Sequence, residues 1–256
     1  MKIGFAGSGN MAAAMARGWA SAEAGPEAML FTDAGSGRAA KLAEELGGTV
    51  VGSLGELAEA ADAIVLAVKP AGLEQAAAEL GDRRPIVSVL GATSLERLRD
   101  AFGAAPVVRT MPTVASELHC GVICHAPLGE PEAEVGGEIL ALLGQLGDLV
   151  EVADERMDAA TAVMGCSPAY FAVVAEALAA AGANEGGLDP DLATSLVVET
   201  MASTAELLRR FSPQQLRIAV ASPGGSTEAG LDALDAGNVG EDFADAVHAS
   251  LDRMRG

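Results

Sequence analysis

The chain has 256 residues, half of them hydrophobic, which suits one large domain or two smaller ones around a packed core. Thirty-six acidic against sixteen basic residues give a formal charge of −20, a field that repels phosphate backbones and anionic lipid and so argues against nucleic acid or a membrane surface as partner. Aromatic residues are only 3%, so the interior is built from small aliphatic side chains that let helices approach closely.

In chain order, residues 2–6 predict a strand, 10–22 an amphipathic helix, 29–32 a second strand and 38–46 a second helix. The rhythm continues through strands at 48–51, 63–68, 86–90 and 107–109, with helices at 54–60, 73–80 and 95–101. Apolar strands alternating with helices predict a parallel sheet covered on both faces. Segments 122–125 and 149–152 are expected to close the same sheet. Beyond Asp154 the pattern holds no further strand, and helices are expected at 155–181, 190–211, 213–219, 225–234 and 243–254. Asp189-Pro190 and Ser212-Pro213-Gln214-Gln215 are good helix starts.

The fold class is therefore α/β, a parallel-sheet domain over 1–153 followed by an all-helical domain over 154–256. Alanines over most of 172–181 favour close helix packing, and a two-fold homodimer through this domain is expected. No run reaches the roughly eighteen uninterrupted apolar residues of a membrane helix. Three cysteines without framework spacing, and a chain that opens on a strand rather than a signal segment, predict a cytoplasmic protein. Cys120, Cys124 and His125 cluster in sequence, but a strand there turns alternate side chains apart, so no metal site is expected.

Two segments carry chemistry. Gly7-Ser8-Gly9-Asn10-Met11-Ala12 follows the first strand and opens the first helix, matching the G-x-G-x-x-G/A dinucleotide fingerprint. The first glycine permits the tight bend, the second clears room for a pyrophosphate, and the small third residue lets helix and strand pack. Asp33 ends the second strand, where a carboxylate can bind ribose hydroxyls, while Arg38 could meet a 2′-phosphate, so the sequence leaves NAD and NADP both open. Ala67-Val68-Lys69-Pro70 leaves the most apolar strand at its carboxyl edge, with Lys69 placed to face the nucleotide. Arg109, at a later strand end, is expected to pair structurally. The second segment, Ser222-Pro223-Gly224-Gly225-Ser226-Thr227, outlines an anion cradle: a helix start has unpaired N–H groups and partial positive charge, and glycines admit a small carboxylate to the main chain.

Taken in order, GxGxM at 7–11, AVKP at 67–70, RTMP at 109–112, GCSPAY at 165–170 and SPGGST at 222–227 resemble pyrroline-5-carboxylate reductase, over nearly the whole chain. The resemblance implies an amino-terminal Rossmann domain, a helical dimerisation domain, a homodimer or higher homo-oligomer, and reduction of a cyclic imine to L-proline by NADPH or NADH. It also implies that Gly7, Ser8, Gly9, Asn10 and Met11, with Ala67, Val68, Lys69 and Pro70, bind the nucleotide. Gly224, Gly225 and Ser226 would hold the substrate carboxylate, Ser222 and Thr227 would be the catalytic hydroxyls, and Thr227 would sit at the imine nitrogen. Departures from the family pattern are Thr113 in place of asparagine, Ala92 in place of glycine, and Cys166 and Ser167 within the GSGP stretch. The alternatives are a related imine reductase or β-hydroxyacid dehydrogenase, and a nucleotide sensor without turnover. The first normally carries a lysine on an early helix of its second domain, which 155–181 lacks.

Overall fold

The structure, a computed structural model, describes residues 1–255, with the side chains of 131 and 134 excepted. Its contacts divide into two compact units, Met1–Gly165 with Met254–Gly256, and Cys166–Arg253.

The first unit alternates β1 (Lys2–Ala6), α1 (Asn10–Ser21), β2 (Ala28–Thr32), α2 (Arg38–Leu46), β3 (Thr49–Val50), α3 (Leu54–Ala60), β4 (Ala63–Leu66), α4 (Leu73–Leu80), β5 (Ile86–Ser88), α5 (Leu95–Phe102) and β6 (Val107–Pro112). β7 (Gly121–His125), α6 (Ala133–Leu143), β8 (Gly147–Glu151) and the short α7 (Met157–Ala160) complete it. One eight-stranded sheet results, in the order β3-β2-β1-β4-β5-β6-β7-β8. Alternation along β4 shows how two-sided burial selects apolar residues throughout: Ala63 and Val65 join the core beneath α1, α2 and α6, and Ile64 and Leu66 join the core beneath α3, α4 and α5. In the first of these cores Phe5 stacks on Phe31 with centroids 5.0 Å apart, and Trp19 donates its Nε1–H to Leu142 O at 2.8 Å, tying α1 to α6.

Three features differ from expectation. β7 runs antiparallel to β6. The segment 113–120 is too short for a crossover helix, and Thr113 bridges the pair instead: its N–H donates to Val122 O and its hydroxyl accepts from Val122 N–H, both at 3.0 Å. α6 is a helix that the sequence pattern did not disclose, because Gly136 and Gly137 sit in its middle. The helix expected over 155–181 contains a π-turn at Thr161–Gly165, between α7 and α8. That helical run, Asp154–Asn184, matches a membrane span by length and mean hydropathy, though not as eighteen uninterrupted apolar residues. Thr161, Gly165, Ser167 and Glu176 interrupt its hydropathy without ending the helix.

The second unit contains α8 (Ser167–Asn184), α9 (Pro190–Leu208), α10 (Pro213–Val220), α11 (Ser226–Ala236) and most of α12 (Val239–Arg255). Asp189 caps α9 through two backbone N–H groups, and a capping box of Ser212 and Gln215 opens α10. Tyr170 Oη lies 2.6 Å from Ser250 Oγ, linking α8 to α12. An apolar groove of about 540 Å3 runs along α8 and α9, lined by Phe171, Leu178, Leu196, Met201 and Leu208 among others.

Candidate active site

The strand order reverses between β1 and β4, and this is where an open α/β sheet leaves a crevice at its carboxyl edge. Gly7 leaves β1 there with φ +101°, a conformation that side chains resist, and a Cβ on it would lie 2.6 Å from Ala67 O. Its N–H donates to Thr32 O at 3.1 Å, while Ala67 N–H donates to Ala6 O at 2.9 Å. The two expected nucleotide segments, 7–11 and 67–70, are thus held side by side by backbone contacts. Gly9 is the opposite case: its φ of −75° is ordinary, and a Cβ there would meet no atom within 4 Å. Gly9 is the N-cap of α1 and no side chain caps that helix, so its first-turn N–H groups have no side-chain acceptor at the cap. A glycine required by nothing in the fold fits a pyrophosphate in that space.

Ser8 is buried, its hydroxyl 3.4 Å from Thr32 O; Asn10 is exposed and Met11 half-buried. Ala67 and Val68 are half-buried, Pro70 opens a single 3-10 turn, and Lys69 is exposed with no ion pair among the described residues. Asp33 is more committed than its position in sequence suggests. Its carboxylate accepts from the N–H groups of Ala39 (2.7 Å), Gly35 (2.8 Å) and Ser36 (3.0 Å) and from the Ser36 hydroxyl (2.8 Å). These donors, Ala39 N–H foremost, hold its pKa below the ordinary aspartate value. Asp33 therefore organises the turn and caps α2, and a ribose hydroxyl would have to share or displace one of those donors. Arg38 stands exposed in the first turn of α2.

The Ser222–Thr227 loop lies in the second unit, where Gly225 N–H donates to Ser222 O at 2.9 Å. Gly224 has φ +72°, and a Cβ on Gly225 would lie 2.9 Å from both Ser222 O and Ser222 Oγ, so both glycines are needed for the loop's shape. Gly225 caps α11 without a side chain, and Ser222, Ser226 and Thr227 are exposed. Sequence reasoning missed Glu228, whose Oε2 accepts from Gly224 N–H at 2.7 Å. A glutamate three residues past a helix cap is the signal that would have found it.

Arg109 is almost wholly buried and pairs with Asp154 Oδ1 at 2.7 Å and Asp158 Oδ1 at 3.2 Å. Cys124 is buried, which pushes its thiol pKa up, and no group of three His, Cys, Asp or Glu among the described residues could hold a metal ion.

Comparison with known proteins shows what the chain as a whole is similar to. Pyrroline-5-carboxylate reductase of Synechocystis is 34% identical over 205 residues, spanning 78% of this chain and 76% of that one. The chain belongs to the pyrroline-5-carboxylate reductase family. The soybean (Glycine max) reductase is 30% identical over 99% of this chain and 94% of its own. Residues 154–256 match the family model described as pyrroline-5-carboxylate reductase dimerisation, and 2–91 match one described as NADP oxidoreductase, coenzyme F420-dependent. Among solved structures, the Streptococcus pyogenes reductase superposes with a TM-score of 0.91 at 28% identity, covering 100% of this chain and 98% of that one. The Plasmodium falciparum enzyme, whose structure has NADP bound, gives 0.87 at 25% identity over 100% and 97%. Ala92, where the resemblance leads us to expect glycine, has φ +55°, a conformation that glycine adopts more readily.

Proposed function

We propose that the chain reduces the imine bond of 1-pyrroline-5-carboxylate to give L-proline, with the Gly7–Met11 turn seating the pyrophosphate of NAD(P)H and the Ser222–Thr227 loop seating the substrate. The bound dinucleotide supplies the hydride. Gly9 and the α1 start receive the pyrophosphate, Ala67 to Pro70 line the neighbouring strand end with Lys69 as a local cation, and Asp33 orders the ribose side. The substrate carboxylate is held at the start of α11 by Ser226 N–H and, once Glu228 is displaced, by Gly224 N–H, while Gly225 N–H donates to Ser222 O and keeps the loop in shape. Thr227 hydrogen-bonds the imine nitrogen and relays its proton. A protonated imine is already electrophilic at carbon, so holding it in place is most of the catalysis, and no further acid–base pair is required.

The observation that carries the substrate assignment is the likeness of the whole chain to pyrroline-5-carboxylate reductases, 30% identical over 99% of it in the soybean enzyme. Glu228 occupies the Gly224 N–H in the free loop, and a substrate carboxylate taken there would displace it. Sheet domain 1–153 and helical domain 154–256 divide the work between nucleotide and substrate. The chain works as a homo-oligomer whose unit is a dimer, and the apolar groove along α8 and α9 is the surface the second copy covers.

The test is loss of reduced-nicotinamide absorbance with purified protein and 1-pyrroline-5-carboxylate, run in parallel with NADPH and NADH. Oxidation dependent on the imine is expected, and the ratio of rates weighs Arg38 against Asp33. Nucleotide binding with no turnover would overturn the substrate assignment.

A further inference from the structure

The buried Arg109 fork is used by none of the chemistry above, yet it joins three elements at the carboxyl edge of the sheet. Its Nη1 donates to Asp154 Oδ1 at 2.7 Å and to Asp154 O at 3.2 Å, and its Nη2 donates to Asp158 Oδ1 at 3.2 Å. Asp154 in turn accepts from the N–H of Leu95, the first residue of α5, at 3.1 and 3.3 Å. The turn that α5 ends, between β5 and α5, holds the left-handed Ala92 and the buried Thr93, whose hydroxyl donates to Gly91 O at 3.1 Å.

Stability alone does not explain this arrangement. The Arg109 side chain is 3% exposed, and its buried Nε has no acceptor. Buried ion pairs are commonly replaced by apolar side chains without loss of stability, and an unpaired buried donor is a penalty. What a planar guanidinium gripping two carboxylates does provide is fixed geometry.

The place it fixes follows from topology. The pyrophosphate turn ends β1, and Asp33, on the ribose side, ends β2. A dinucleotide straddling the reversal therefore carries its nicotinamide half over the ends of β4 and β5. We propose that Arg109, acting through Asp154, is a positioning residue for that nicotinamide half, because it sets the β5–α5 turn against which the ring rests. The inference rests on the nucleotide assignment of the preceding section.

Arg109→Lys keeps the charge and loses the fork, Asp154→Asn keeps the shape and loses the charge, and Asp158→Asn does the same at the outer arm alone. For the first two, the affinities for NADPH and for 2′,5′-ADP, which carries only the adenosine half, stay within twofold. kcat falls at least tenfold, the isotope effect with C4-deuterated NADPH rises, and the emission of bound NADPH moves towards that of free NADPH. Asp158→Asn gives the same changes to a smaller degree. A lower unfolding temperature with unchanged isotope effect and bound-NADPH emission would make the fork purely structural and overturn the proposal. So would an equal loss of 2′,5′-ADP affinity. If Arg109→Lys fails to fold, Asp154→Asn decides. Wild-type protein that binds NADPH without oxidising it against the imine would sink the substrate reading, while the emission comparison still decides on Arg109.

Discussion

Phe5, Phe31, Leu57 and Leu66 of the sheet unit have no exposed surface, whereas Phe171, Val173, Leu196 and Ile218 of the helical unit are half exposed or more. In the helical unit only Ala179 and Ala193 are buried apolar residues among those described. The sheet completes its core within one chain, because helices from the same chain cover both faces. The helices of the second unit leave their apolar sides outward, and that surface must be removed from water by something else. The same membrane-like hydropathy in Asp154–Asn184 falls in the region that matches the family's dimerisation model, where a helix can be apolar because another copy of the chain buries it. The lesson is that core residues and interface residues are alike in sequence and differ only in which chain buries them.

The largest effect should come from breaking the helical side of this contrast. Phe171→Asp with Leu196→Asp would place charges in a buried interface, a penalty of about 3–5 kcal/mol each, so a monomeric mass by light scattering and lost helical ellipticity are expected. Unchanged mass would remove the groove from the interface. Next, Gly9→Val should reduce NADPH affinity by about a hundredfold or more through filling the pyrophosphate space, with the unfolding temperature nearly unchanged because nothing opposes a side chain there. Gly7→Ala, pressed on Ala67 O, should instead destabilise the sheet unit. Titrating both variants by nucleotide fluorescence and calorimetry separates binding from folding.

In the helical unit, Thr227→Ala should lower kcat by about a hundredfold while NADPH affinity stays level; loss of nucleotide binding would contradict the separation of the two loops. A smaller effect is expected at Ala92→Gly, which relieves a left-handed alanine and should stabilise by about 1 kcal/mol, read as a rise in unfolding temperature. The smallest concerns pH. The folded pKa of Asp33 is lowered, so its contribution to stability is complete above the ordinary aspartate value and disappears as pH falls through the folded value. Asp33→Asn should flatten that part of the acid limb of a stability-against-pH curve, and an unaltered limb would show that the turn does not depend on the charge.

Much of the fold could be read from apolar periodicity, because burial on both faces writes itself into runs such as 63–66. What could not be read was whatever depended on pairing across distance. The antiparallel β7 depends on a connection length and on Thr113, not on any local pattern in 121–125. α6 hid behind Gly136 and Gly137, whose propensity is overridden by packing of Ile139 and Leu143 into the core. At the site, the two glycine loops were legible because close approach at Gly7 and Gly225 and positive φ at Gly7 and Gly224 admit almost no other residue. The four donors on Asp33, the return of Glu228 to Gly224 and the carboxylates on Arg109 were not, since each requires knowing where a side chain turns.

The chain contains one tryptophan and one tyrosine. Trp19 is 3% exposed within the sheet unit, hydrogen-bonded to Leu142 O, and Tyr170 stands on α8 in the helical unit, hydrogen-bonded to Ser250. Each compact unit thus carries a single native fluorophore of its own colour. Exciting at the red edge, where only indole absorbs, follows the melting of the sheet by itself. Phenol emission reports the helices, so an unlabelled sample can show whether the two halves unfold together or in turn.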